Sequence, residues 1–231
     1  MSIFLTFIKV VERFFNPFGS LVGIIIAKWL SEGLLEINFA IKAYIQSHFI
    51  RKSMATILPV NEKFPQLGEQ CFVAPNATIV GDVSMGAECS IWFNAVIRGD
   101  VNFIKMGNKV NVQDGAVIHC TYQKNATNIG NSVSIGHNAI VHGCTIHDNV
   151  LIGMGAIVMD RCVVNSNSII AAGAVVLEGT IVEAGSIYAG VPAKKVKDIS
   201  PDKITGEIDR IANNYTKYAS WFENFNEAKM K

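Results

Sequence analysis

The chain has 231 residues, half of them hydrophobic, with 20 Lys and Arg against 19 Asp and Glu. That length fits one domain, or one domain with an appendage, and is ample for a single core. The even charge, with no block of one sign, excludes nucleic acid as the main partner, because phosphate binding needs clustered Lys and Arg. Cys71, Cys89, Cys120, Cys144 and Cys162 are odd in number, scattered and without a C-x-x-C. Such cysteines read as small buried hydrophobes in a reducing cytoplasm.

Residues 1–53 carry no repeat and are richer in Ile, Leu and Phe than the rest of the chain. The apolar run 21–27 is stopped by Lys28, far short of the roughly 20 residues that span a bilayer. Lys28, Glu32 and Glu36 recur at four-residue intervals, so 29–45 reads as an amphipathic helix with a charged stripe. Glu12 and Arg13 interrupt the apolar part and no small-residue cleavage site succeeds it, which excludes an ordinary signal peptide. Two readings stand. One is a helical arm for a membrane surface or a partner. The other is a segment foreign to the native protein, with translation starting at Met54; membrane contact is expected only under the first.

From Val73 an aliphatic residue recurs at every sixth position. The series are Val73, Ile79, Met85, Ile91, Ile97; Met106, Val112, Ile118; Ile129, Ile135, Val141; and Ile146, Ile152, Val158, Val164, Ile170, Val176, Val182, Tyr188. Small or β-branched residues favour the position four later, as at Ala77, Val83, Ala95 and Ala116. Neither a helix nor an alternating strand has period six, whereas a parallel β-helix does, with one short strand and a corner per hexad. The β-helix is expected over 54–192. Three irregularities interrupt it: nine positions from Ile97 to Met106, eleven from Ile118 to Ile129, and five from Val141 to Ile146. The second must loop out around 121–127. Breaks in a repeat array are where function tends to be placed.

Counting three hexads per coil puts Ile97, Ile118 and Val141 on one face. Arg98, His119 and His142 are then the first outward residues of that face in successive coils. Asp114 and His137 fall at a corner of the third face, one coil apart. Three neutral imidazoles at about 2.0–2.1 Å from one ion make a catalytic zinc set with a position open for water. His137 lies around the corner from the other two. A three-fold assembly would bring His137 of one chain to His119 and His142 of the next, and Arg98 to the neighbour's Asp114 as an interface ion pair. His48 and His147 lack such partners. Cys120 alternates to the side opposite His119 and is expected to point inward.

Arg98-Gly99-Asp100, Asn111-Val112-Gln113-Asp114-Gly115, Ile118-His119, Gly136-His137-Asn138 and Val141-His142-Gly143 resemble the signature of gamma-class carbonic anhydrases, as Tyr188-Ala189-Gly190-Val191-Pro192-Ala193 resembles the end of that family's repeat. The resemblance runs from Met54 onward. It implies a mainly β fold, a left-handed parallel β-helix, in a homotrimer with metal sites at subunit interfaces. It implies zinc, with iron or cobalt as alternatives, on His119, His137 and His142, and the interface pair Arg98 and Asp114. It assigns Gln113 to hydrogen-bond the coordinated water or bicarbonate, Tyr188 to line the pocket, and Asp100 to the catalytic set. The implied chemistry is reversible hydration of CO2, zinc lowering the pKa of its water to about 7. The fast enzymes of this class carry an acidic residue after the Arg-Gly-Asp and others in a loop, to export the proton. Here Val101 follows Asp100, and 121–127 contains no carboxylate.

The remainder, 193–231, reads as a C-terminal helix packing on the β-helix. Ser200, Pro201 and Asp202 form a helix start. Ile204, Ile208, Ile211, Tyr215, Tyr218, Phe222 and Phe225 make one apolar stripe behind it. Two other functions fit a hexapeptide scaffold: an acyltransferase or CoA thioesterase using one histidine as base, and a non-catalytic trimeric assembly module.

Overall fold

A β-helix is held by registered stacking of like residues, so hexad positions translate directly into ladder partners. In the computed structural model, which describes residues 55–222, that stacking is complete. The helical arm read over 29–45, and Phe225, lie outside the described residues. The first face stacks Ile79, Ile97, Ile118, Val141, Val158 and Val176 in parallel register. The second stacks Met85, Met106, Ile129, Ile146, Val164 and Val182. The third stacks Val73, Ile91, Val112, Ile135, Ile152, Ile170 and Tyr188. All of these except Val73 are buried. Each such aliphatic side chain contributes roughly 1.5–3 kcal/mol by leaving water. The β-helix expected from the repeat is therefore the fold.

Thr78–Met85 and Val96–Met106 are long enough to run round a corner, so the first two faces share one sheet while the third forms its own. Elsewhere the corners are tight. Asn76, Asn94, Asn138, Asn149 and Asn167 occupy them with positive φ, a conformation Asn tolerates better than most residues. The extra residues after Ile97 stay within Val96–Met106 and shift its register against Thr78–Met85. The 121–127 loop folds over that shift: Asn102 Nδ2 donates to the Thr121 carbonyl at 3.3 Å, and the Gln123 N–H to the Val101 carbonyl at 3.3 Å. Two of the three irregularities are thus one structure, beside the strand that ends in His119.

The tail does not start as a helix. Lys194–Asp198 pairs antiparallel with Ser186–Ala189 and closes the third face. An exposed, lysine-rich strand is a usual way of ending a sheet without inviting further pairing. The helix then begins at Pro201, as read. Ser200 has the extended backbone of a cap, but its side chain makes no capping bond. Pro201–Lys203 leads into a π-helical stretch, Ile204–Asp209, and an α-helix, Arg210–Ser220. This arrangement buries Ile208 and Ala212. Tyr215 and Phe222 meet Trp92 edge-on at ring-centroid distances of 5.2 and 5.7 Å, and Phe72 packs beside them, tilted, at 5.1 Å from Trp92. Such aromatic pairs add about 0.5–1.5 kcal/mol each beyond area burial. Beneath the helix lies a satisfied polar ladder. Trp92 Nε1 donates to Ser90 Oγ at 3.0 Å, and Asn111 Nδ2 to Ser134 Oγ at 2.7 Å. Among the described residues no helix is long and apolar enough to cross a membrane.

Candidate metal centre

Val117–His119 and Ile140–His142 pair in parallel with His119 opposite His142. Ile118 and Val141 point into the core, so alternation turns both imidazoles outward onto one ledge. His119 Nδ1 lies 3.1 Å from His142 Nε2, with ring centroids 5.1 Å apart. Two nitrogens bound tetrahedrally at about 2.0–2.1 Å from one ion would stand roughly 3.3–3.4 Å apart, so the pair fits a shared divalent metal.

The nitrogens facing away are each held by a carboxylate. His119 Nε2 is 3.1 Å from Asp100 Oδ1, and His142 Nδ1 is 3.0 Å from Asp160 Oδ2. A carboxylate behind an imidazole fixes ring and tautomer and is the usual support of a ligating histidine. Asp100 is braced by Arg98, whose guanidinium donates to it at 2.5 Å. Asp160 is braced by the loop, accepting from Thr121 Oγ1 at 2.5 Å and Asn125 Nδ2 at 3.2 Å. Burial alone would raise both carboxyls; the bonds from Arg98 and His119 to Asp100, and from Thr121, Asn125 and His142 to Asp160, hold both below the usual carboxylate range. Burial, helped by the charge on Arg98, pushes His119 down, which favours the neutral form that metal binding needs.

Two glycines make the ledge. Gly143 sits at φ +52°, where the missing residue tightens the corner, and a Cβ there would strike Asp160 and the Asn125 side chain. A Cβ on Gly99, between Arg98 and Asp100, would run into the Asp82 carbonyl. Cys120, next to His119, is buried as expected, and burial pushes its thiol up to about 11.

The third-face corner carries a second group. His137 Nδ1 lies 2.9 Å from Asp114 Oδ2, and its Nε2 is 3.4 Å from the Tyr215 hydroxyl on the C-terminal helix. Burial and the nearby Asp114 push Tyr215 up to about 12, so it stays a neutral hydroxyl. Gln113 is buried there, its amide donating to Asn111 Oδ1 at 3.0 Å. Arg98 and Asp114 do not meet within one chain: the first is paired with Asp100, the second with His137. Nor does one chain bring His137 to the other two histidines. Among the described residues no group of three or more His, Cys, Asp or Glu side chains is placed to hold a metal. Tyr188 is not brought to either group. It fills the axis of the last coil, three ladder steps from the strand before His137, because it occupies the inward position of its hexad. Neither Asp160 nor Tyr215 lies in a motif that marks it as a site residue in the sequence. Asp160 follows His142 by three hexads, which places it one coil along on the same face; Tyr215 had only the apolar stripe to mark it.

The profile of the bacterial transferase hexapeptide family (six repeats) matches residues 64–99 and 143–178. A carbonic anhydrase of Geobacillus kaustophilus is 42% identical over 167 residues, covering 72% of this chain and 91% of that protein. Protein YrdA of Escherichia coli is 37% identical over 166 residues, covering 69% and 90%. A solved structure of a hexapeptide transferase family protein from Anaplasma phagocytophilum superposes with a TM-score of 0.69 at 38% identity, covering 72% and 98%.

Proposed function

We propose that this chain, which belongs to the gamma carbonic anhydrase-like family of hexapeptide-repeat proteins, is a metal-dependent carbonic anhydrase that interconverts CO2 and bicarbonate at a site shared between subunits. The observation that carries this reading is the registered pair His119 and His142, 3.1 Å apart, with a carboxylate behind each ring. His137, with its own carboxylate, supplies the third ligand to a neighbour's pair in a homotrimer. Zinc is the expected metal, with iron or cobalt as alternatives. Bound there, a divalent metal supplies a Lewis acid that brings the pKa of a coordinated water to about 7.

The rest is work for the chain's own side chains. Asp100 holds the far nitrogen of His119, and Arg98 fixes Asp100. Asp160 does the same for His142 and anchors the 121–127 loop. Gln113, next to Asp114 in the chain, would hydrogen-bond the coordinated water or bicarbonate. Tyr188, on the axis of the last coil, is not among the groups that one chain brings to either histidine site. Proton export is the weak step. The loop has no carboxylate, and Asp100 and Asp160 are both committed to histidines. Turnover is therefore expected to be slow for this class. Five free thiols support a reducing compartment, the cytoplasm.

Metal analysis followed by stopped-flow CO2 hydration, with acyl-CoA turnover in parallel, tests the reading. About one metal per chain, and hydration that disappears with the metal, is the expected result. Acyl-CoA turnover without hydration would establish the acyltransferase function instead.

A further inference from the structure

Two pairs of cysteines stack in the same way and differ in their surroundings. Cys71 and Cys89 precede the paired residues Phe72 and Ser90, and the Phe72 N–H donates to the Cys89 carbonyl at 2.8 Å. Cys144 and Cys162 precede Thr145 and Val163 in the same way, with the Thr145 N–H on the Cys162 carbonyl at 2.9 Å. Neighbours on adjacent strands stand about 4.8 Å apart, inside the Cα separation that a disulfide spans. Cys144 and Cys162 are sealed in the core, and burial pushes both thiols up. Cys71 is only part-buried and Cys89 lies behind it. Both line a cavity of about 350 Å³ between the first coils and the C-terminal helix, together with Gln70, Glu88, Thr216 and Ser220.

We propose that Cys71 and Cys89 are a reversible dithiol–disulfide site that reacts with low-molecular-weight disulfides through this cavity. Cys71 is the attacking group. It is the part-buried member of the pair and reaches the cavity first, whereas Cys89 is sealed behind it with its thiol donating to the Gly107 carbonyl at 3.2 Å. The neighbouring Cys89 thiol lowers Cys71, while Cys71 and burial push Cys89 up. The Cys71 thiolate attacks one sulfur of the incoming disulfide. That S–S bond breaks, one thiolate leaves and takes up a proton, and a mixed disulfide remains on Cys71. Cys89 then gives up its proton and attacks Cys71 Sγ, forming the internal bond and releasing the second thiol. Two protein thiols are oxidised and one external disulfide is reduced to two thiols. Thr216, Ala219 and Ser220 form the opposite wall.

The test uses the full reduced chain, incubated with glutathione disulfide and quenched with N-ethylmaleimide. Intact mass should show the loss of two hydrogens, and peptide mapping a Cys71–Cys89 link that dithiothreitol reverses. Cys120, Cys144 and Cys162 should take up the maleimide only after denaturation. Cys89→Ser should trap a single glutathione on Cys71, and Cys71→Ser should take up none; Cys89→Ala replaces Cys89→Ser if a hydroxyl at this inward position unfolds the chain. First reaction at Cys120, Cys144 or Cys162, or a folded Cys89 variant with an unmodified Cys71, would overturn the proposal. The metal centre enters none of these readouts.

Discussion

His119 and His142 on the first face and His137 at the third-face corner are held by the same device, an imidazole with a carboxylate behind it. Their surroundings differ. On the ledge the histidine side chains are 18% and 31% exposed and their carboxylates 24% and 21%, with Arg98, Thr121 and Asn125 bracing the carboxylates in turn. At the corner His137 and Asp114 are 39% and 42% exposed, and the Tyr215 hydroxyl stands 3.4 Å from His137 Nε2. The ledge is a preorganised pair short of one ligand; the corner is a single imidazole held between Asp114 and the Tyr215 hydroxyl of its own chain. Preorganisation of that kind sets how much binding energy survives the ordering of side chains.

The largest effects should come from breaking either half. His119→Ala, His142→Ala and His137→Ala should each strip most of the metal, because a site with three protein ligands cannot spare one. The β-helix should stay folded, since its axis is filled by the aliphatic series and not by these side chains. Mixing sharpens the comparison. Co-refolded His137→Ala and His119→Ala chains should regain metal wherever an intact ledge meets an intact corner. Metal content and CO2 hydration of the mixtures, against the separate variants, give the answer. No recovery in mixtures shown by mass to hold both chains would sink the shared site.

A smaller effect is expected one shell out. Asp160→Asn should weaken metal binding by about 10–100-fold, the usual cost of losing the carboxylate behind a ligating histidine. Asn keeps the shape but removes the charge, and it loosens the Thr121 and Asn125 anchors together with His142. Asp114→Asn should fall at the lower end of that range, because its pair with His137 is more exposed and less braced. Competition with a chelator measures both. A larger loss for Asp114→Asn would mean that the corner, and not the ledge, is the preorganised half.

Most of this framework could be read from the sequence for one reason. A six-residue period fixes register as well as element type, so counting hexads alone places Ile97, Ile118 and Val141 on one ladder and His119 opposite His142. What escaped the count was whatever depends on side-chain reach. The Arg98 guanidinium can turn to Asp100 on its own strand, so a pairing across an interface cannot be deduced from height alone. Tyr188 occupies the inward position of the last hexad, so within one chain its ring fills the axis. The strand Lys194–Asp198 carries no alternation that would have marked it. Asp160 was within reach of the count, three hexads after His142, but a single aspartate carries no signal until the 121–127 loop is seen to fold onto it.

The smallest effect concerns protons on the metal-free chain. Burial depresses the pKa of His119 when folded, so between that value and the ordinary 6.5 the unfolded chain binds more protons than the folded one. Stability should therefore be complete above about pH 6.5 and decline as pH falls through the folded value. Asp100 and Asp160 do not confuse this window. Both are held below the usual carboxylate range, and what they contribute is lost only as pH falls below about 3.9. One residue's contribution should be the smallest of these effects and confined to that window. Thermal melts of the metal-free protein and of His119→Gln, from pH 4.5 to 7.5, measure it. The wild type should lose Tm relative to the variant toward the acid end. A flat difference, or a gain on acidification, would mean that the ledge does not hold His119 in the neutral form a metal ligand requires.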